Sequence, residues 1–401
     1  MARSFKITPA GALTTLYNFG ADGLYPSGGV ILATDGNFYG MTHNSVSSEC
    51  EDRGCGTIYK ITPSGALTTL HRFAGPDGSF PSGGLLQAAN GDLYGLASSG
   101  GTEGHGVAFS ITTAGTFFTL LHSFAGPPGD GAEPLGSLVQ ATNNGLYGTT
   151  YSGGSGTNCS GGCGTVFQLT PAGSLSTIYT FNETDGKYPA AGLVQASNGG
   201  LFGTTVYGGA NGDGTVFQIF TSGTLTTIHS FDGLDGYQPN APLIQATNAK
   251  LYGTTVYGGN SYGTIFEITL EGTLTTLHSF DSTDGADPYG GLLEATNGKL
   301  YGTTAYYGAD GDGTIFGLAD GLVPFVKTLP IVGKVGTAVT ILGTNLTGAT
   351  AVSFNGTAAD FTIDSATEIS TTVPAGATGG KIDVTIPSGT LSSNVDFRVT
   401  R

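Results

Sequence analysis

The sequence contains no tryptophan, two methionines and four cysteines, and it sets only 13 Lys and Arg against 29 Asp and Glu over 401 residues. With so few cations and a formal net charge of -16, it lacks the basic patch that neutralises phosphates, which excludes nucleic acid as a partner. No apolar run approaches the ~20 residues that a membrane-spanning helix requires, so no membrane span is expected. The opening Met1-Ala2-Arg3-Ser4 lacks the apolar stretch of a secretory signal. If the protein is exported, its signal is expected to have been removed. Charged residues make up 10% of the chain, against about 25% in an ordinary globular protein.

In place of charge the chain carries 70 glycines, 22 Phe and 18 Tyr. Glycine serves tight turns and the aromatics supply apolar area to bury, so many short strands are expected and a helical bundle is excluded. Asp-Gly-x-x-Pro recurs six times, starting at Asp22, Asp77, Asp130, Asp185, Asp235 and Asp284, with spacings of 49 to 55 residues. A Tyr-Gly or Phe-Gly pair keeps step at Tyr39, Tyr94, Tyr147, Phe202, Tyr252 and Tyr301. So does Gly-Thr-(Ile/Val)-(Phe/Tyr), at Gly56, Gly164, Gly214, Gly263 and Gly313, with Gly106 opening a degenerate copy. Self-similarity at about 50 residues with several strand signals per period indicates propeller blades.

Alternation and turn residues predict four strands per period; in the fourth copy these are residues 191–196, 201–205, 214–219 and 224–231. The fold expected is therefore all-β: a six-bladed β-propeller over residues 1–320, with seven blades as the alternative. The sixth repeat lacks its outer strand, and residues 11–19 read as such a strand, so the two are expected to pair and close the ring. From 321 to 401 the period is lost, and about seven short alternating strands suggest a small immunoglobulin-like β-sandwich.

The repeat Gly-x-Leu-Thr-Thr-Leu-His-Ser-Phe, Asp-Gly-x-x-Pro, Asn-Gly-x-Leu-Tyr-Gly-Thr-Thr, Gly-Thr-(Val/Ile)-Phe-x-Ile resembles the GloVer-type tandem repeat of exported bacterial proteins over roughly residues 4–318. Residues 333–345 and 352–356 are similar to an IPT/TIG domain of the immunoglobulin-like class. These resemblances imply a modular secreted or cell-surface protein. They imply no reaction and carry over no catalytic residues.

In a propeller, the crossovers between blades and the loops between second and third strands share one face. That face would gather Tyr25, Phe80, Tyr188, Tyr237 and Tyr289 from the crossovers and Tyr151, Tyr207, Tyr257, Tyr306 and Tyr307 from the loops, and tyrosine suits stacking on sugar rings. The tyrosines of the Tyr-Gly pairs read instead as wedges between blades. The six aspartates admit calcium as a ligand, carboxylates being hard oxygen donors, but recurrence in every copy favours a turn cap; no cofactor and no metal site are expected otherwise. The first two copies depart most from the pattern. Their loops bring His43, Glu51, Asp52, Arg53, Glu103 and His105, a candidate acid–base set for a polysaccharide lyase or glycoside hydrolase. His71, His122, His229 and His278 repeat in the outer strand and read as structural.

The cysteines form two close pairs, Cys50 with Cys55 and Cys159 with Cys163, each in a lengthened loop. Local disulfides pinning those loops are expected, and with them an oxidising compartment. The spacing is not that of a zinc site. The function these features favour is binding of polysaccharide or another surface ligand through the tyrosine-rich face, outside the cell or on its surface. A glycan-active enzyme and a structural spacer are the alternatives.

Overall fold

The structure is a computed structural model that describes residues 2–8, 11–20, 23–45, 54–156 and 158–400. It is all-β; apart from the three-residue turn of 3-10 helix Leu346–Gly348, its regular elements are strands. Contacts divide the chain into two compact units. The first comprises Met1–Gln245, Ala249–Leu292 and Thr303–Thr314, and the second Ala246–Asn248, Leu293–Gly302 and Ile315–Arg401.

The first unit contains five four-stranded antiparallel sheets, one for each of the first five repeats, with the strands of each in chain order. In the fourth repeat they are Val194–Gln195, Leu201–Thr205, Thr215–Ile219 and Leu225–Ser230. This is the pattern of a β-propeller. Neighbouring sheets meet face to face through apolar clusters, each drawn from two consecutive repeats. The Phe that ends one outer strand stands edge-on to the Phe of the next repeat's third strand. Phe73–Phe109, Phe124–Phe167, Phe181–Phe217 and Phe231–Phe266 all have centroids 5.2–5.3 Å apart. Tyr39, Tyr94, Tyr147 and Tyr252 of the Tyr-Gly pairs are at most 2% exposed, as wedges between sheets should be.

The first strands crowd together. A Cβ built on Gly136 would lie 2.5 Å from the backbone of Ala191 in the next repeat, so nothing larger than glycine fits there.

The N-terminus departs from expectation. Leu13–Asn18 pairs with Arg3–Ile7 as an antiparallel two-stranded sheet, and Phe19 stands edge-on to Tyr59 of the first repeat. Residues 11–19 are thus half of a local hairpin, not the fourth strand of the last repeat.

The sixth repeat gives a three-stranded sheet, Leu293–Glu294, Lys299–Thr303 and Ile315–Ala319, most of which belongs to the second unit. That unit also holds two four-stranded antiparallel sheets sharing one core of Val339, Ile341, Val352, Phe354, Ile369 and Val384. No helix among the described residues is long and apolar enough to cross a membrane.

Candidate functional site

Each crossover begins where the outer strand ends, at the aspartate of Asp-Gly-x-x-Pro. His71, His122, His229 and His278 place Nε2 2.5–2.8 Å from Oδ2 of Asp77, Asp130, Asp235 and Asp284. In the third repeat Tyr179 takes the histidine's place and donates to Asp185 at 2.5 Å. The other carboxylate oxygen of each aspartate accepts a backbone N–H, from Ala74, Ala125, Asn182, Asp232 or Asp281, at 2.6–3.1 Å. Burial raises the Asp235 carboxyl, but the bonds from His229 and the Asp232 N–H outweigh it and hold the group below its ordinary value. Both oxygens of each aspartate are therefore engaged within the tract, as in a turn cap. Among the described residues no group of three or more His, Cys, Asp or Glu is placed to hold a metal ion.

The residue before each crossover proline is left-handed. Tyr25, Phe80, Glu133, Tyr188, Gln238 and Asp287 have φ of 55–59°. That conformation costs a residue bearing a side chain ~1–2 kcal/mol, and a following proline disfavours helical angles further. Two clamps impose it. The N–H groups of Phe80, Glu133, Tyr188, Gln238 and Asp287 donate at 2.8–3.2 Å to Cys55, His105, Cys163, Asp213 and Tyr262 respectively, each the residue before the glycine that opens the third strand. The carbonyls of Glu133, Tyr188, Gln238 and Asp287 accept from the next repeat's loop, at Tyr151, Val206, Val256 and Ala305, over 3.0–3.2 Å. The proline then packs on that glycine: a Cβ on Gly214 would lie 2.8 Å from Pro239 Cδ and 2.5 Å from the Thr205 carbonyl. The two recurring tracts are the two halves of one joint between neighbouring sheets.

The loop tyrosines sit against this joint. Tyr207, Tyr257 and Tyr306 exchange paired backbone hydrogen bonds of 2.7–3.2 Å with Lys187, Tyr237 and Ala286 of the crossovers entering their own sheets. Tyr207 meets the Tyr188 ring edge-on at 6.3 Å, and its hydroxyl accepts from Gln238 Nε2 at 2.7 Å. Tyr257 packs on Tyr237 with centroids 5.2 Å apart and shares a hydroxyl hydrogen bond with Tyr289. Tyr151 stacks on Tyr188 at 4.8 Å. Burial, then the neighbouring tyrosines, raises the phenols of Tyr151 and Tyr237. Tyr289, desolvated and bonded to Tyr257, is pushed up to about 12. These hydroxyls stay protonated at neutral pH and serve as hydrogen-bonding groups. Tyr306 is 55% exposed, while Tyr307 leans on Tyr262 with centroids 5.3 Å apart.

Beyond the prolines the chain enters an axial cavity of about 640 Å³, walled by all six repeats through Gly28, Gly83, Gly136, Gly192, Pro242 and Gly290, together with Arg3 to Phe5 of the hairpin. Among the described residues of its wall there is no carboxylate and no imidazole, and Arg3 is the one charged group.

Of the six acid–base candidates, His43, Glu103 and His105 fall among the described residues. His43 Nδ1 lies 2.7 Å from Asn44 Oδ1, and its ring stacks on Phe80 at 5.0 Å. Glu103 is exposed, and no hydrogen bond or ion pair joins it to His43 or His105. Glu51, Asp52, Arg53 and Cys50 lie outside the described residues. Cys55 is fully buried. Cys159 and Cys163 form a disulfide with Cα atoms 5.1 Å apart.

A family model, the Gloeobacter/Verrucomicrobia repeat, matches residues 3–161 and 155–363. The chain belongs to the Gloeobacter/Verrucomicrobia repeat family. No curated protein matches the sequence of this repeat protein. Among solved structures it is similar to the periplasmic gluconolactonase of Pseudomonas aeruginosa, with a TM-score of 0.50 and 16% identity over 80% of this chain and 92% of that one. A Xanthomonas campestris gluconolactonase gives 0.46 at 13% identity, over 75% and 87%. A fungal alcohol oxidase gives 0.48 at 12%, over 94% and 85%. The likeness to the P. aeruginosa structure is one of fold alone.

Sequence reasoning gathered the aromatics of this face but passed over Glu133, Gln238 and Asp287. The available signal was positional: each occupies the slot before a recurring proline.

Proposed function

We propose that this protein is a non-catalytic binding module that holds polysaccharide, or another polyhydroxylated surface ligand, on the face formed by its crossovers and loops. In this reading six repeats make six blades. Residues 321–401 form an immunoglobulin-like domain of IPT/TIG type, and the whole is exported to the cell surface or beyond it. The Cys159–Cys163 disulfide supports an oxidising location. The observation that carries the binding reading is the belt of Tyr151, Tyr188, Tyr207, Tyr237, Tyr257 and Tyr289, half-buried or exposed rings whose backbones are hydrogen-bonded into the joints. Rings held in place offer flat apolar area and a hydroxyl without the entropy loss of ordering a mobile side chain on binding.

An enzyme is the second reading, because the P. aeruginosa neighbour is a gluconolactonase. Opening a lactone or cleaving a glycan needs a group that moves a proton and donors that stabilise the developing charge. The described wall residues of the axial cavity include neither carboxylate nor imidazole, so a proton-moving group would have to reach in from outside that wall, as Glu133 or Asp287 of the crossovers would, and this favours binding. The test is a polysaccharide panel, with gluconolactone added, read for both retention and products. Retention without products, weakened by Tyr207→Ala and Tyr257→Ala, supports the proposal; new reducing ends, unsaturated sugars or gluconate would replace it with the enzyme. Neither retention nor products would leave the structural spacer.

A further inference from the structure

We infer that Tyr25, Phe80, Glu133, Tyr188, Gln238 and Asp287 form a single recognition ring around one mouth of the axial cavity, and that the ring selects a neutral polysaccharide, taken one chain per protein. This rests on the binding reading above and names the residues and ligand class for it.

The six share one backbone conformation and differ in side chain. Left-handed φ is where a chain rich in glycine would be expected to use glycine. Among the described residues only 13 non-glycine residues have positive φ, and six of them occupy this slot. No copy uses glycine there. The backbone gains nothing from the side chain at such a position, so the side chain is retained for what it meets. Strained conformations held by surrounding clamps are typical of ligand sites.

Their placement agrees. Tyr25 and Glu133 are exposed and the other four half-buried. Each precedes a cavity-wall residue by no more than three positions: Pro26, Gly83, Leu135, Ala190, Asn240 and Tyr289. The six slots thus lie one per repeat within three residues of the cavity wall, and none of the six side chains is part of that wall.

Their chemistry is that of a sugar site. Three are aromatic and can stack on the C–H face of a pyranose. Two carboxylates and an amide can accept hydrogen bonds from hydroxyls, and those to the carboxylates are charge-assisted. The charge selects further. Asp213, whose charge reaches Tyr237, adds to Glu133 and Asp287, while of the cations Lys187 is paired with Glu183 and Arg3 in the cavity wall is a single charge against three carboxylates. On a chain of net charge -16 such a rim repels uronates and sulfated polymers. Because aromatic and polar members alternate irregularly around the ring, it offers one best orientation and not six equivalent sites.

Glycine substitution tests this, since it removes the side chain and the backbone strain together. Full-length wild type, Tyr25→Gly, Glu133→Gly and Tyr257→Ala would be measured by affinity electrophoresis and calorimetry. The probes are a β-glucan, a xylan, a galactan and a mannan, with polygalacturonate as the charged comparison. The expected result is one oligosaccharide per chain, binding weakened tenfold or more in both glycine variants, and melting temperatures unchanged or raised. Wild-type binding in the glycine variants, with loss confined to Tyr257→Ala, would overturn the ring while leaving the tyrosine face intact. Preference for polygalacturonate would overturn the neutral ligand. A lowered melting temperature in both glycine variants would show that the side chains serve the fold. A wild type retained by none of the probes would defeat the binding reading itself.

Discussion

The joint between sheets makes a quantitative demand on Gly214. Its φ of 102° is left-handed, and an alanine Cβ would lie 2.5 Å from the Thr205 carbonyl, 2.8 Å from Pro239 Cδ and 2.9 Å from the Val206 carbonyl. Gly212, two residues earlier, has φ of 90° with nothing within 4 Å of a built Cβ. Both alanine variants incur the left-handed penalty of ~1–2 kcal/mol, eased by the less flexible unfolded chain. Only Gly214→Ala must also push two carbonyls and a proline aside, and overpacking of this kind costs ~1–3 kcal/mol. The difference between the variants should therefore be about 1–3 kcal/mol. At roughly 2 °C per kcal/mol for a unit this large, Gly214→Ala should melt about 2–6 °C below Gly212→Ala. Thermal unfolding followed by tyrosine circular dichroism in the near ultraviolet would measure it. Pro239→Ala added to Gly214→Ala should recover part of the loss, because the two side chains compete for one space. Equal melting of the two alanine variants would refute the joint as the reason for glycine.

Two further outcomes are expected. Burial, with the Phe118 ring stacked 3.9 Å away, outweighs the Asp77 bond and holds the His71 imidazole below its ordinary value of 6.5. A folded value below the unfolded one means that the stability contribution is complete above about pH 6.5 and is lost as pH falls through the folded value. Melting temperature should therefore decline on acidification from pH 7, and His71→Tyr, which copies the Tyr179–Asp185 pair, should flatten that decline. An unchanged slope in the variant would count against it. For the disulfide, replacing Cys159 and Cys163 together by serine should lower stability by about 2 kcal/mol on the loop-entropy account; two free thiols at these positions in non-reducing peptide mapping would contradict the bond.

The repeats were legible because a blade is written in local signals: alternation, a turn, a glycine where an inner strand is crowded. The buried tyrosines and the turn-capping aspartates followed from the same reasoning. The partner of Leu13–Asn18 was not legible. Alternation identifies a strand but not its neighbour, and pairing with Arg3–Ile7, adjacent in sequence, closes a far smaller loop than pairing with residues near 315. His43 drew attention as chemistry because it breaks the repeat; its ring instead continues the stacking, on Phe80, that Tyr151 makes on Tyr188. The left-handed slot was hidden for another reason. Tyrosine, phenylalanine and glutamate do not advertise positive φ, and the clamps that impose it come from residues 25–28 positions before and 18 positions after.

Those clamps also explain how one chain can hold a constant frame and a varied face at once. Every hydrogen bond that fixes the left-handed residue uses its N–H or its carbonyl, and the packing that completes the joint uses the proline after it and a glycine of the preceding repeat. The aspartate that opens the crossover is likewise satisfied by an outer-strand His or Tyr and a backbone N–H. None of these interactions involves the side chain in the slot before the proline, which instead meets the neighbouring loop, as Phe80 does at His43, Tyr188 at Tyr151 and Tyr207, and Gln238 at Tyr207. Among the six copies the flanking Asp, Gly and Pro do not change, whereas the slot takes Tyr, Phe, Glu, Tyr, Gln and Asp. A position excused from the joint, yet carried by it to the mouth of the cavity, can change its chemistry with little effect on the fold.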